Sequence, residues 1–137
     1  MQENVKKQLK YCGQGVKIYP WAKIVSPETV SIGDWSQIDD FTLIIGGKGI
    51  NIGKRVHVAG FSSIIGRGEC VLSDYSGLSA GVRIITGGDD FMGGGMTNPC
   101  IPLEFRKFRN LDRSFVVLEK HALLGTNVVV LPGVTIS

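Results

Sequence analysis

The chain has 137 residues, 43% of them hydrophobic, and a formal net charge of +3 at neutral pH. That length gives no reason to look for a second core, so small a positive charge argues against a nucleic-acid partner, and no apolar run approaches the ~18 residues of a membrane span. In chain order, the opening MQENVKKQLKYCG carries Val5 and Leu9 four apart among polar residues, which predicts a short amphipathic cap over residues 1–11. It lacks the apolar core of a secretion signal. The three cysteines are odd in number, and Cys12 and Cys70 fall at inward or turn positions of the pattern that follows. Buried, reduced thiols in a cytoplasmic protein are the simplest reading.

From residue 12 to residue 88 the aliphatic residues keep time. Ile18, Ile24, Ile32, Ile38, Ile44, Ile52, Val58, Ile64, Leu72, Leu78 and Ile84 come six apart, with a step of eight after every third word, and the larger period is twenty: Cys12, Ile32, Ile52, Leu72. The fifth position of a word, where a turning strand has room for a short side chain, holds Val16, Ala22, Ser36, Thr42, Val56, Ser62, Ser76 and Val82. Glu28 and Lys48 break that rule, and Gly68 has no side chain at all. A repeat of this length signals stacked units that bury their apolar faces against their neighbours. Three six-residue words make a triangular coil of short strands, the coils pairing in parallel ~4.8 Å apart. Helical spacing is absent, which excludes a bundle, and strands that reset every six residues do not suit a sandwich.

The rhythm is lost after Ile84, in IITGGDDFMGGGMTNP, and returns as LEKHAL, LGTNVV and VLPGVT from Leu118. Leu118 lies one period plus 26 residues beyond Leu72, so the break is an insertion. Residues 89–115 are expected to project as a loop, with 116–137 a further coil of the same single domain. Such long loops in compact domains are usually functional or disordered. Gly87, Gly88, Gly93, Gly94 and Gly95 permit unusual backbone geometry. Asp89 and Asp90 sit where the strand ends and the loop begins, a place rigid enough to hold a carboxylate. Arg106, Lys107, Arg109 and Arg113 suit phosphates, though by themselves they read as a solvated charge run.

Words such as SIGDWSQI, NIGKRVHV and LLGTNVVVLPGVTI resemble the hexapeptide-repeat acyltransferases over nearly the whole chain. The resemblance implies an all-β fold, a left-handed parallel β-helix; the hand comes from the resemblance alone, since crossovers between parallel strands are normally right-handed. GLSAGVRIITGGDDFMGGGMTNPCIP is similar to a subgroup of sugar acetyltransferases in which an Asp-Asp-aromatic loop precedes TNP. It further implies acetyl-CoA as acyl donor, a sugar or nucleotide-sugar as acceptor, no metal, and a homotrimer. The donor's pantetheine arm is expected near Gly125, Thr126 and Asn127, where small residues let it approach. The related enzymes continue through further coils and a cap, so VLPGVTIS is expected to be the end of a fragment whose strand edges invite pairing.

In the galactoside and maltose acetyltransferases a catalytic histidine stands at the position of Asp89, and this sequence departs from that. Acyl transfer needs a base for the attacking hydroxyl or amine, and only His57 and His121 are available. His57 lies beside a corner that the resemblance puts close to the acceptor, and an imidazole accepts a proton near neutral pH; it is the candidate base. Asp89 is the second candidate catalytic residue, orienting that imidazole or binding the sugar's amino or hydroxyl group together with Asp90. His121 is read as a surface residue. A six-residue side spans ~20 Å, so His57 and Asp89 of one chain cannot touch, and a site using both would be shared between subunits. A γ-type carbonic anhydrase would need three histidines. A non-catalytic structural or interaction solenoid is the competing reading.

Overall fold

The computed structural model describes residues 2–89, 92–108 and 113–137. Among the described residues sixteen short strands form three parallel sheets, so that each of the first five coils contributes one strand to each side of a triangular prism. The first sheet stacks Tyr11–Cys12, Val30–Ile32, Gly49–Ile52, Glu69–Leu72, Phe115–Leu118 and Val134–Ile136. The second holds Lys17–Ile18, Gln37–Ile38, His57–Val58, Gly77–Leu78 and Leu123–Leu124; the third holds Lys23–Val25, Leu43–Ile45, Ser63–Ile65, Arg83–Ile85 and Val129–Val130. This is the parallel β-helix expected of the chain, about six turns long.

The aliphatic word-openers form the axial core. Ile18, Ile32, Ile38, Ile44, Val58, Ile64, Leu72, Ile84 and Leu118 are fully buried, and like residues pair in register, as Ile32 with Ile52 and Ile52 with Leu72. Leu72 pairs with Leu118, so the insertion of 26 residues is bridged without a slip. In the first two words of each coil the fifth residue points inward; Ser36 donates its hydroxyl to Gly53 O at 2.7 Å and Ser62 to Ser79 O at 2.9 Å, whereas the buried Ser76 hydroxyl has no partner among the described residues. The third word behaves otherwise. Its two extra residues carry the chain around a longer turn, so Val30, Ile50 and Cys70 at the seventh position are buried, as is Val116 in register with Cys70, while Glu28 and Lys48 are exposed. The two exceptions to the fifth-position rule are therefore a consequence of word length.

Corners are turned by residues in the left-handed region: Trp35, Arg55, Tyr75 and His121 at one, Phe41, Phe61, Gly81 and Asn127 at the next. That conformation costs a non-glycine residue roughly 1–2 kcal/mol, and stacking along the axis offsets part of it. Phe61 lies on Phe41 with centroids 5.3 Å apart, His121 on Tyr75 at 5.2 Å, and the Arg55 guanidinium over Trp35 at 5.7 Å. His121 is exposed and is a corner-column residue, sharing backbone geometry with Trp35, Arg55 and Tyr75. Aspartates beside the first of these corner columns accept from the coil below, Asp34 from Gln14 N at 3.0 Å and Asp74 from Lys54 N at 2.9 Å. At the N-terminus the helix Glu3–Gln8 covers the first coil; Leu9 is buried, Val5 packs on the core, and the Gln2 amide donates to Tyr19 O and Ala22 O at 2.8 and 2.6 Å.

Candidate active site

The second and third sheets present different chemistry. On the second, outward positions run Lys17, Gln37, His57, Gly77 and Leu123, one per coil. The His57 imidazole is exposed, and its Nε2 lies 2.8 Å from Asp39 Oδ2. The Gln37 amide donates to the other oxygen, Asp39 Oδ1, at 2.7 Å. The carboxylate is therefore held from both sides, and it fixes the ring. Gly77, next above His57, carries no side chain to cover it. Ser79 lies beyond Gly77 on the same outward side and donates its N–H to Leu124 O at 3.0 Å, which sets Gly125 in the following coil beside it.

Gly125, Thr126 and Asn127 form an exposed turn. Val128 N–H donates to Gly125 O at 3.3 Å and Asn127 N–H to Ala80 O at 3.0 Å. Asn127 is left-handed, with φ 64°, and its amide packs against Gly81. At Gly125 neither packing nor a positive φ requires glycine: an added Cβ would meet nothing within 4 Å. His57, Ser79 and this turn thus lie along one side of the prism.

The third sheet leads into the insertion. Its corner is lined by glycines that approach too closely for side chains: a Cβ on Gly47 would collide with the Arg67 backbone, on Gly66 with Gly87, on Gly68 with Ser114 and Thr86. The Thr86 hydroxyl ties the corner together, accepting from Gly68 N–H and donating to Ile65 O, both at 2.9 Å. Above it opens a cleft of about 640 Å³ whose wall includes Lys48, Arg67, Asp89, Arg106 and Phe108. The Asp89 and Arg106 side chains are 9% and 12% exposed and meet through Oδ1 and Nη2 at 2.5 Å. A β-bridge joins Asp89 to Phe108 and another Met96 to Arg106, closing the insertion back on its root; a 3₁₀ turn spans Leu103–Phe105.

The charge run is accordingly not solvated throughout: Arg106 is buried against Asp89 and stacks 4.8 Å from the Phe108 ring. Nothing brings Asp89 to His57 within the chain, for their partners are Arg106 and Asp39 and a whole side of the prism separates them. Asp90 lies outside the described residues, as does Arg109. Sequence reasoning missed Asp39 as the partner of His57, although the period carried the signal: His57 pairs with Gln37 one coil below, and Asp39 is the next outward residue. It also missed the Asp89–Arg106 pair, for which the aperiodic insertion offers no such rule. Among the described residues no cluster of histidine, cysteine, aspartate and glutamate is arranged to hold a metal.

No family model matches the sequence. The chain is similar to a dTDP-4-amino-4,6-dideoxy-D-glucose acyltransferase of Escherichia coli, 36% identical over 126 residues; the match takes in 91% of this chain and spans 64% of the length of that protein. Among solved structures it is similar to AntD, an N-acyltransferase from Bacillus cereus, in complex with dTDP and 3-hydroxybutyryl-CoA (TM-score 0.87, 28% identity, 98% of this chain and 70% of that one). Forms of AntD altered at one serine, and at an aspartate ten residues further along, were solved with dTDP and coenzyme A; these too are 28% identical to this chain, with TM-scores of 0.88 and 0.85, and the overlap takes in 98% of this chain and 71% of each. The resemblance to hexapeptide-repeat sugar acyltransferases read from the words and the loop agrees with these likenesses.

Proposed function

We propose that the protein moves an acyl group from a coenzyme A thioester, acetyl-CoA the expected donor, to the amino group of a nucleotide-linked sugar. The likeness along 91% of the chain to an enzyme named for a dTDP-linked amino sugar carries this reading, and the cationic cleft of Lys48, Arg67 and Arg106 suits an anionic nucleotide. Ser79 and Asp89 are this sequence's one serine–aspartate pair ten residues apart, the spacing of the two positions altered in AntD. Asp89 would receive a hydrogen bond from the acceptor amine. The amine's lone pair attacks the thioester carbonyl carbon, the proton the amine loses passes to His57 as general base, the C–S bond breaks, and the departing thiolate of coenzyme A takes that proton from the imidazolium. Asp39 keeps the imidazole oriented for that step. Gly125, Thr126 and Asn127 would line the pantetheine arm, which accounts for a glycine the fold does not require.

His57 and Ser79 share one side of the prism and Asp89 opens from another, so the complete site needs two chains, as in a homotrimer. A coupled assay of free thiol release from acetyl-CoA with dTDP-4-amino-4,6-dideoxyglucose tests the reading. Release that depends on both substrates is the expected result. Failure to bind coenzyme A in calorimetry would instead favour a structural solenoid.

A further inference from the structure

The clasp that shuts the insertion leaves a donor unused. Arg106 meets Asp89 through Nη2, yet its Nε–H is buried and has no acceptor among the described residues. Native proteins rarely leave a buried N–H unpaired, because nothing replaces the lost water. A buried ion pair is also a poor device for stability alone, since apolar residues of similar volume commonly serve as well. Arg106 lines the cleft that holds Lys48 and Arg67, and a guanidinium can bind two oxygens from its fixed fork at once.

We propose that Arg106 is a substrate-positioning residue: Nη2 fixes the Asp89 carboxylate while Nε–H holds an oxygen of the acceptor's diphosphate. The inference rests on the nucleotide-sugar reading above and adds the group that sets the distance between nucleotide and amine. Among the described residues Asp89 Oδ2 makes no hydrogen bond, so it remains for the amine. One side chain would thus couple the anionic end of the acceptor to its nucleophile.

The test is calorimetric titration of dTDP, and separately of coenzyme A, into wild type, Arg106→Lys, Arg106→Gln and Asp89→Asn. Wild type is expected to bind dTDP. Arg106→Gln should weaken that binding by about tenfold or more, the scale of losing one hydrogen bond to a charged group, with Arg106→Lys intermediate and coenzyme A affinity unchanged in both. Asp89→Asn keeps Nε and should weaken dTDP binding far less, while raising the KM of the amino sugar. Arg106→Gln binding dTDP within twofold of wild type overturns the proposal, as does an equal loss in Asp89→Asn, which would mean the clasp alone matters. Should Arg106→Gln not fold, Arg106→Lys against Asp89→Asn decides by the same comparison. A wild type that does not bind dTDP overturns the nucleotide-sugar reading, and this inference with it.

Discussion

Replacing Gly87 with alanine tests whether the glycine corner positions the site. A Cβ at Gly87 would stand 2.8 Å from the Gly66 carbonyl oxygen and 3.5 Å from Ser114 Oγ. An ordinary contact begins near 3.4 Å, so two backbone segments must part by about 0.6 Å, because neither side has a flexible tip to yield; overpacking of this kind costs about 1–3 kcal/mol. For a chain of this size the melting temperature should fall by about 3–10 °C. Asp89 is two residues on, and since a 1 Å misplacement can cost about a hundredfold in rate, a half-ångström shift should reduce kcat/KM for the acceptor by about tenfold. Gly88→Ala is the control: its added Cβ meets nothing within 4 Å and its φ lies outside the left-handed region, so stability should change by less than about 0.5 kcal/mol, or rise slightly. Thermal melts followed by circular dichroism and steady-state kinetics give both numbers. Equal melting temperatures and equal acceptor kcat/KM for Gly87→Ala and Gly88→Ala would refute the reasoning.

His57→Ala should lower turnover by ~100-fold or more with the fold intact, the usual scale for losing a general base; near-normal kcat would remove it from the mechanism. Co-expressing His57→Ala with Asp89→Ala should restore about a quarter of wild-type activity, since each shared site needs an intact residue from both of two randomly mixed chains; mixed assemblies as inactive as their parents would exclude the shared site. Burial pushes the Cys70 thiol up to about 12. The unfolded thiol ionises near 9 and the folded one does not, so Cys70 contributes stability below pH 9 that is lost as pH climbs towards 12, a slope that urea titrations should find reduced in Cys70→Val. In native protein at pH 8, a maleimide should modify the exposed Cys100 and spare the buried Cys70.

The solenoid was legible because burial repeats along it. Each of Ile18, Ile38 and Val58 meets the same environment as the next, so one spacing fixes the core, and the Leu72–Leu118 register follows from counting across the break. The longer third turn was less legible: its eight-residue step was visible, but the inward shift to Val30, Ile50 and Cys70 depends on how two extra residues route the backbone. At the site, His57 could be assigned an outward face by position, whereas the partners that give it and Asp89 their settings come from side-chain geometry across 18 and 17 residues. For Asp39 the coil period supplies the missing neighbour. For Arg106 the insertion has its own fold, held among the described residues by two isolated bridges and one ion pair, and no repeat predicts it.

The central claim is that this chain acylates a nucleotide-linked amino sugar from a coenzyme A thioester. Mass spectrometry of dTDP-4-amino-4,6-dideoxyglucose after incubation with the protein and acetyl-CoA addresses it most directly. The account predicts a product heavier by one acetyl group, formed in step with free coenzyme A and absent without protein. An unmodified sugar, with acetyl-CoA intact and coenzyme A binding undetectable, would contradict it.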